Sequence, residues 1–221
     1  MLSAQNISKH YSCNGTRVSV LQQIDFRLAE GEFVAIIGRS GSGKTTLLNI
    51  LSTLIRPDSG QIHYHDKELT SLAEKERNRL RKTDFAVIFQ FHHLLPYLTV
   101  LENTLLPLMG GLSPISRAER ERARQCLQRV GLTGLADRLP GRLSGGEQQR
   151  VAIARALVTD SRILFADEPT GSLDTATGSR IMALLAELHQ EGLSIVMVTH
   201  EPAYAALAQR TVELEDGVRL N

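Results

Sequence analysis

Apolar residues along the chain follow two alternating patterns: short unbroken runs, and longer segments at helical spacing. The unbroken runs are typical of strands buried on both faces, and they predict strands at 33–37, 85–89, 162–166 and 194–198. Helical spacing, or in one case a run of mixed charges, predicts helices at 46–54, 74–82, 116–130, 151–157, 178–190 and 201–209. Strands that alternate with helices indicate an α/β fold with a largely parallel sheet.

The N-terminal region follows a different pattern. Two strand-like segments, 2–11 and 18–29, flank a polar turn at 12–16, which is typical of a β-hairpin. A turn at 58–60 precedes a further alternating segment at 61–65. We therefore predict an antiparallel β subdomain next to the α/β core.

Between the second and third unbroken runs the pattern becomes helical, with a break formed by Pro107 and residues 110–114. We predict that residues 91–143 form a helical subdomain inserted into the core. The core and the β subdomain would then comprise residues 1–90 and 144–221, within a single domain 1–221.

Composition narrows the function classes. The 221 residues carry a formal net charge of +1, which argues against nucleic acid as a partner. Cys13 and Cys126 fit no metal or redox spacing and are expected to be reduced thiols. No apolar run approaches the roughly 18 residues that a membrane-spanning helix needs, and the N-terminus has no signal-peptide pattern. We expect a cytoplasmic protein whose membrane role, if it has one, depends on a partner.

A glycine-rich turn, Gly38 to Thr45, joins the strand 33–37 to the helix 46–54. Its glycines allow the backbone to curl so that several N–H groups face one concavity at a helix N-terminus, which favours a phosphate chain. Lys44 is then expected to reach the β- and γ-phosphates, and the Thr45 hydroxyl to ligate Mg²⁺. The alternative is a glycine turn that only links a strand to a helix.

Asp167 and Glu168 follow the apolar strand 162–166. Asp167 is placed to hold Mg²⁺ together with Thr45. Strand alternation predicts that Glu168 points elsewhere, where its carboxylate could orient and deprotonate a water. The alternative is a polar strand end before a turn.

A second serine–glycine turn, Leu143 to Arg150, precedes the predicted helix 151–157. It offers a second phosphate site at a helix N-terminus, although Ser144 alone would suffice as a cap. Because only one lysine-bearing loop is present, the simplest arrangement is two copies placed head to tail, each offering this turn to the other's nucleotide.

Two single residues remain open from the residues alone. Tyr11, at the end of the first strand, could stack on an adenine, but Tyr is also common in edge strands. His200, at a strand end, could contact the γ-phosphate or could simply cap local structure.

Taken together, these motifs resemble the nucleotide-binding subunit of an ATP-binding cassette (ABC) transporter, over essentially the whole chain. Residues 38–45 match the Walker A loop, 163–167 the Walker B strand and 143–147 the ABC signature, while 172–174 match the D-loop. The resemblance implies a P-loop NTPase (RecA-like) core, ATP and Mg²⁺ as ligands, and an active ATPase that forms a homodimer on ATP.

The resemblance also implies a role for individual residues. The catalytic set is Lys44, Gln90, Glu168 and His200, and the metal set is Thr45, Gln90 and Asp167. The nucleotide contacts are Tyr11, Gly38, Arg39, Ser40, Gly41, Ser42, Gly43, Lys44, Thr45, Thr46, Ser144, Gly145, Gly146, Glu147 and Asp174.

The stretch 89–96 is similar to the lipoprotein-release ATPases, and the chain resembles the LolD and MacB branch. This implies an integral membrane permease with an extracytoplasmic domain, hydrophobic cargo, and a location on the cytoplasmic face of the inner or plasma membrane. The apolar residues after Gln90 would then form a groove for the permease, or simply pack the hinge of the helical subdomain. A regulatory ABC subunit that signals without transport, and a nucleic-acid-acting ABC ATPase, are the alternatives.

Overall fold

The computed structural model describes residues 1–13, 16–109 and 114–220, so the tip of the first predicted turn and residues 110–113 of the helical break lie outside the described residues. In chain order the strands are β1 (Leu2–Cys13), β2 (Thr16–Leu28), β3 (Phe33–Gly38), β4 (Ser59–Tyr64), β5 (Lys67–Glu68), β6 (Phe85–Ile88), β7 (Ile163–Asp167), β8 (Ser194–Val198), β9 (Arg210–Glu215) and β10 (Val218–Arg219). The α-helices are α1 (Lys44–Leu51), α2 (Glu74–Thr83), α3 (Val100–Leu105), α4 (Arg117–Arg129), α5 (Gly145–Leu157), α6 (Thr175–Gln190) and α7 (Pro202–Ala205).

The strands form two sheets. The larger sheet has the strand order β10-β9-β3-β8-β7-β6. Every neighbouring pair of strands in it is parallel except β10 and β9, which are antiparallel. The smaller, β2-β1-β4-β5, is antiparallel throughout. Each of the four predicted apolar runs is a strand of the parallel sheet, as expected for strands covered on both faces.

The alternation of side chains along β3 separates two hydrophobic cores. Val34 and Ile36 face the core shared with the antiparallel sheet and α1. Phe33 and Ala35 face the core shared with α5, α6 and the helical segment after β6. The carboxyl ends of β3, β7 and β8 therefore meet at one edge of a sheet that is packed on both sides.

The segment between β6 and α5 contains α3 and α4, and fully buried Asn103 orders the loop before α3. Its side-chain oxygen accepts from the Leu95 amide at 2.8 Å, and its two N–H groups are shared among the nearby carbonyls of Leu95, Leu98 and Thr99. The buried amide thus provides hydrogen-bond partners for a loop that has no strand partner.

Several element boundaries differ from the prediction. Helices α1, α5 and α6 begin two, six and three residues earlier than predicted, because Gly43, Ser144 and Asp174 occupy their N-cap positions and the residues after them are already helical. Helix α7 has only four residues. The chain leaves it so that Gln209 can donate to the Phe33 carbonyl at 2.9 Å and β9 can join the sheet. Strands β5, β9 and β10 were not predicted.

Candidate functional site

The backbone between β3 and α1 curls at three glycines, Gly38, Gly41 and Gly43, all with positive φ. A Cβ on Gly38 would lie 2.1 Å from the Leu214 carbonyl oxygen of β9, and one on Gly43 would lie 2.7 Å from the Val20 carbonyl oxygen of β2. Glycine is therefore required here by close backbone approach as well as by conformation. At Gly41 the space is open, and only φ demands glycine.

Lys44 closes this loop. Its Nζ donates to the carbonyls of Gly38 and Arg39 at 2.9 and 2.7 Å, although the residue is almost completely buried. A buried ammonium group with a third donor to spare is suited to an anionic ligand. The buried Ser42 hydroxyl in the same loop has no hydrogen-bond partner, so the loop also contains a polar atom that a ligand would satisfy.

A cavity of about 550 Å³ lies over the loop. It is lined by six of the predicted nucleotide contacts, Ser40, Gly41, Gly43, Lys44, Thr45 and Thr46, and by Val20, Glu168 and His200. The volume lies within the range of ordinary ligand sites. The structure thus brings the glycine loop and two of the predicted catalytic side chains around one cavity.

Thr45 and Asp167 lie side by side at the start of α1 and the end of β7. The Thr45 hydroxyl donates to Asp167 Oδ1 at 3.0 Å. Burial raises the pKa of the Asp167 carboxyl, and the neighbouring Glu168 raises it further, while Thr45 and Lys44 oppose the shift. A bound cation would offset the free-energy cost of burying the Asp167 carboxylate. The adjacent oxygen atoms of Thr45 and Asp167 are ligands of the kind that Mg²⁺ prefers. Among the described residues no group of three or more His, Cys, Asp or Glu side chains could hold a metal, so a cation at this pair would need further ligands of another kind.

Glu168 adopts a left-handed backbone conformation, with φ 43°. Its orientation is set by this turn, so the strand alternation invoked from the sequence does not explain it. The Glu168 amide donates to the Val198 carbonyl of β8 at 3.0 Å, and its Oε1 lies 3.2 Å from His200 Nδ1. A strained non-glycine residue held in this way often marks a functional position.

Gln90 approaches the same region from β6. A Cβ on Gly171 would lie 3.0 Å from Gln90 Nε2 and 3.1 Å from Glu168 Oε2. The Gln90 and Glu168 side chains therefore contact one face of Gly171. This places Gln90 next to Glu168.

The serine–glycine turn lies outside the cavity. Ser144 caps α5: its hydroxyl accepts from the Glu147 amide at 3.3 Å, and its own amide donates to Glu147 Oε2 at 2.7 Å. The Ser144 amide and hydroxyl both donate to the Glu147 carboxylate, and these two hydrogen bonds lower the pKa of Glu147. A Cβ on Gly146 would lie only 2.2 Å from Thr177 Cγ2, so Gly146 allows α5 and α6 to pack closely.

Asp174 and Tyr11 also lie outside the cavity. Asp174 caps α6 by accepting from the Thr177 amide at 3.0 Å. Hydrogen bonds with the Thr177 side chain and amide lower the pKa of the Asp174 carboxyl. Tyr11 pairs with Val18 across the hairpin, two residues along β2 from the cavity-lining Val20. The Tyr11 residue is 44% exposed. The proposed contacts of these residues with a nucleotide stay predictions.

The family follows from comparison with known proteins. The family model described as "ABC transporter" matches residues 21–171. The chain belongs to the ABC transporter family.

Two curated relatives illustrate how this cassette occurs. The chain is 44% identical over 218 residues, 98% of its length, to the macrolide export ATP-binding/permease protein MacB of Hahella chejuensis. It spans only 33% of that protein, so it corresponds to about a third of the MacB relatives. The chain is also 44% identical, over 98% of its length, to an ABC transporter ATP-binding protein of Bacillus subtilis, YvrO, and it covers 94% of that protein.

Solved structures agree with this assignment. The ATP-binding cassette MJ0796, in a dimeric post-hydrolysis state bound to ADP and Pi, superposes with a TM-score of 0.92 at 38% identity, covering 100% of this chain and 97% of that one. The predicted fold class, an α/β cassette with an antiparallel β subdomain, is therefore confirmed. In the described part of this cassette, no helix has the length and apolar character to cross a membrane.

The structure adds residues of this cassette that the sequence reasoning did not single out. Gln149 and Arg155 of α5 bind the segment after Gln90. Gln149 contacts the His92 ring, and Arg155 donates to the His92 and His93 carbonyls, both at 2.8 Å. Burial lowers the pKa of Arg155 and that of His92. The only signal in the sequence was the polar run between Glu147 and Arg150 at the start of a helix that otherwise reads as apolar.

Proposed function

We propose that this cassette binds and hydrolyses ATP, as one subunit of a homodimer that drives a membrane permease. The observation that carries the proposal is the convergence of Lys44, Thr45, Glu168 and His200 around one cavity above the glycine loop. Asp167 joins this group through its hydrogen bond from the Thr45 hydroxyl. Each group has the chemistry that a step of phosphoanhydride hydrolysis requires.

Phosphate binding is assigned to the loop 38–46. The Lys44 ammonium and the backbone N–H groups at the start of α1 would hold the phosphate chain. The unpartnered Ser42 hydroxyl supports this assignment, because its burial costs free energy unless a ligand supplies an acceptor or donor. Tyr11, close to the cavity-lining part of β2, is proposed to stack on the adenine.

Mg²⁺ would be held by Thr45 and Asp167, with Gln90 as a further oxygen ligand. When bound, the cation would neutralise charge on the phosphate oxygens. The residues fit such a group, because the Thr45–Asp167 pair gives two adjacent oxygen atoms and a carboxylate destabilised by burial.

Glu168 is proposed as the general base and His200 as its partner. The Glu168 carboxylate would accept a proton from the attacking water while His200 Nδ1, 3.2 Å away, orients it. The left-handed turn holds Glu168 apart from Asp167, so that one carboxylate serves the metal and the other serves the water.

We propose that the second half of each site comes from a partner copy. Ser144, Gly145, Gly146, Glu147 and Asp174 lie outside the cavity of their own chain, and MJ0796, which superposes closely, forms a dimer. In a head-to-tail dimer each signature turn would contact the γ-phosphate bound to the other copy, so ATP closes the dimer and hydrolysis releases it.

The membrane partner and location are proposed from the relatives. MacB is named as a macrolide export ATP-binding/permease protein, which supports a permease as the partner. From the resemblance to the LolD and MacB branch we further propose that this permease has an extracytoplasmic domain and moves hydrophobic cargo, and that the cassette lies on the cytoplasmic face of the membrane. We also propose that residues 91–143 act as the helical subdomain within a single ATPase domain 1–221, with 1–90 and 144–221 as the core.

The variant Glu168→Gln tests the general base. We expect turnover to fall at least about a hundredfold, because a positioned base contributes on that scale. ATP binding should remain, and ATP should trap the dimer in size-exclusion chromatography. Glu187→Gln, at an exposed position of α6, is the matched control and should turn over normally. Wild-type turnover in Glu168→Gln would contradict the assignment, and a wild-type chain without turnover would contradict the proposed function.

A further inference from the structure

Gln149 of α5 is completely buried and joins two segments that are distant in sequence. Its Nε2 donates to the Pro169 carbonyl at 2.7 Å, and its Oε1 is hydrogen-bonded to His92 Nδ1. Pro169 directly follows Glu168, whereas His92 lies two residues after Gln90. One side-chain amide therefore bridges the turn that contains Glu168 and Pro169 and the segment after β6.

The direction of both hydrogen bonds is fixed by chemistry. A carbonyl oxygen can only accept, so the amide nitrogen of Gln149 must face Pro169 and its oxygen must face His92. His92 Nδ1 then carries the proton that it donates to Gln149. Both polar atoms of the buried amide are satisfied only while these two segments keep their relative positions.

The His92 end of this connection is anchored to the same helix. The planar guanidinium of Arg155 donates to the His92 and His93 carbonyls. The Pro169 end is equally constrained, because the Gly171 amide donates to the Glu168 carbonyl at 3.0 Å and closes a tight turn. Neither end can shift without breaking one of these hydrogen bonds or the buried Gln149–Pro169 hydrogen bond, which water cannot easily replace.

On its outer side the apolar segment, residues 91–97, is open. Phe91 is 70% exposed and Tyr97 is 91% exposed. A force on this segment would therefore act on His92 directly, and through Gln149 on the peptide that holds Glu168.

We propose that Gln149 is a positioning residue that couples the apolar segment to the Glu168–Pro169 peptide, so that displacement of the segment changes the rate of ATP hydrolysis. This inference rests on the proposed function. It assigns a role to a side chain that contacts neither nucleotide nor metal.

The first test is Gln149→Met, which keeps the length of the side chain and removes both hydrogen bonds. We expect kcat to fall roughly three- to thirtyfold, the range typical of a residue that couples two sites. The KM for ATP should not change, because the phosphate loop is untouched. Gln128→Met, at an exposed position of α4, is the matched control and should keep the wild-type kcat.

Variants of His92 keep the test valid if Gln149→Met folds poorly. His92→Asn retains an N–H donor near the Nδ1 position, so this variant should keep most of the wild-type kcat. His92→Phe has no such donor and should lower kcat as Gln149→Met does. The double variant His92→Phe/Gln149→Met should have the same kcat as Gln149→Met alone, because the two substitutions break the same connection.

A second readout separates positioning from folding. In a Glu168→Gln background, Gln149→Met should still form the ATP-trapped dimer, because only the hydrolytic step is affected. The proposal is overturned if kcat is unchanged, if KM rises instead, or if the loss of kcat only follows a loss of folded protein measured by thermal unfolding. Wild-type turnover that Glu168→Gln abolishes would leave the proposed function intact in each of these cases.

Discussion

At the scale of single residues, several groups of the candidate site have a burial or a backbone conformation that lowers the stability of the fold. Asp167 ionises in a partly buried position, Glu168 holds a left-handed backbone conformation and the Ser42 hydroxyl has no partner. Each feature costs free energy in the ligand-free protein, and each would be relieved or used when nucleotide and metal bind. Residues of this kind are expected where function limits stability.

Asp167→Asn should therefore raise the melting temperature of the metal-free protein at neutral pH while abolishing turnover. The folded-state pKa of Asp167 lies above its unfolded value, so ionisation opposes folding at any pH above the folded pKa. As the pH falls through the folded pKa, the folded carboxyl takes up a proton and the penalty decreases, and it is absent below the unfolded pKa.

The difference in melting temperature between Asp167→Asn and wild type should thus be largest at neutral pH and should narrow in acid. Thermal unfolding in the presence of a metal chelator measures it, and exposed Asp137→Asn serves as the control. A lower melting temperature for Asp167→Asn at neutral pH would show that Asp167 is not destabilising.

The residue types at the site were predictable from the sequence, but their orientation was not. Lys44, Thr45 and Asp167 follow from a strand, a glycine turn and a second strand end, because parallel strands bring their carboxyl ends together. The orientation of the Glu168 side chain depends on the positive φ of this residue, and no local sequence pattern predicts that conformation. The contact between His92 and Gln149 joins positions 57 residues apart, so it depends on the packing of α5.

At the scale of elements, α5 and α6 meet at a glycine. The sequence predicted that α5 begins at Val151, because residues 143–150 were interpreted as a serine–glycine turn before the helix. The structure begins it at Gly145, since the Ser144 cap and contact with α6 outweigh intrinsic propensity. Gly146 thus has a packing role beside its proposed contact with a phosphate.

Gly146→Ala should destabilise the fold by about 1–3 kcal/mol, as expected when a methyl group is forced into a close contact. Its Cβ would overlap Thr177 Cγ2, so Thr177→Ser, which removes that methyl group, should recover part of the loss in the double variant. Thermal unfolding measures both. Gly141→Ala, where a Cβ meets nothing within 4 Å, should be close to neutral. Equal destabilisation with and without Thr177→Ser would contradict this contact.

At the scale of the whole molecule, the glycine loop and the serine–glycine turn lie on different elements of the fold. The glycine loop follows β3 in the centre of the parallel sheet, while the signature turn starts α5 and packs on α6. Ser144 caps its helix without contributing to the cavity above Lys44. A second copy of the chain is therefore the simplest source of a signature turn for that cavity.

Mixing two inactive variants tests this arrangement. Lys44→Ala and Ser144→Ala should each hydrolyse little ATP, because each homodimer lacks one half of both sites. A mixed dimer would pair one doubly defective site with one intact site, since the intact Lys44 and the intact Ser144 come from different copies. Random mixing should then restore about a quarter of the wild-type sites, measured as single-turnover hydrolysis of ATP.

The control for this experiment mixes Lys44→Ala with Glu168→Gln. Lys44 and Glu168 line the same cavity of one chain, so a head-to-tail dimer of these two variants contains one site without the lysine and one without the base, and no activity should return. Restoration by the first mixture but not by the second requires Ser144 to act on the partner's nucleotide. No restoration by the first mixture, with both variants folded and able to associate, would instead place Ser144 and Lys44 at the same chain's site.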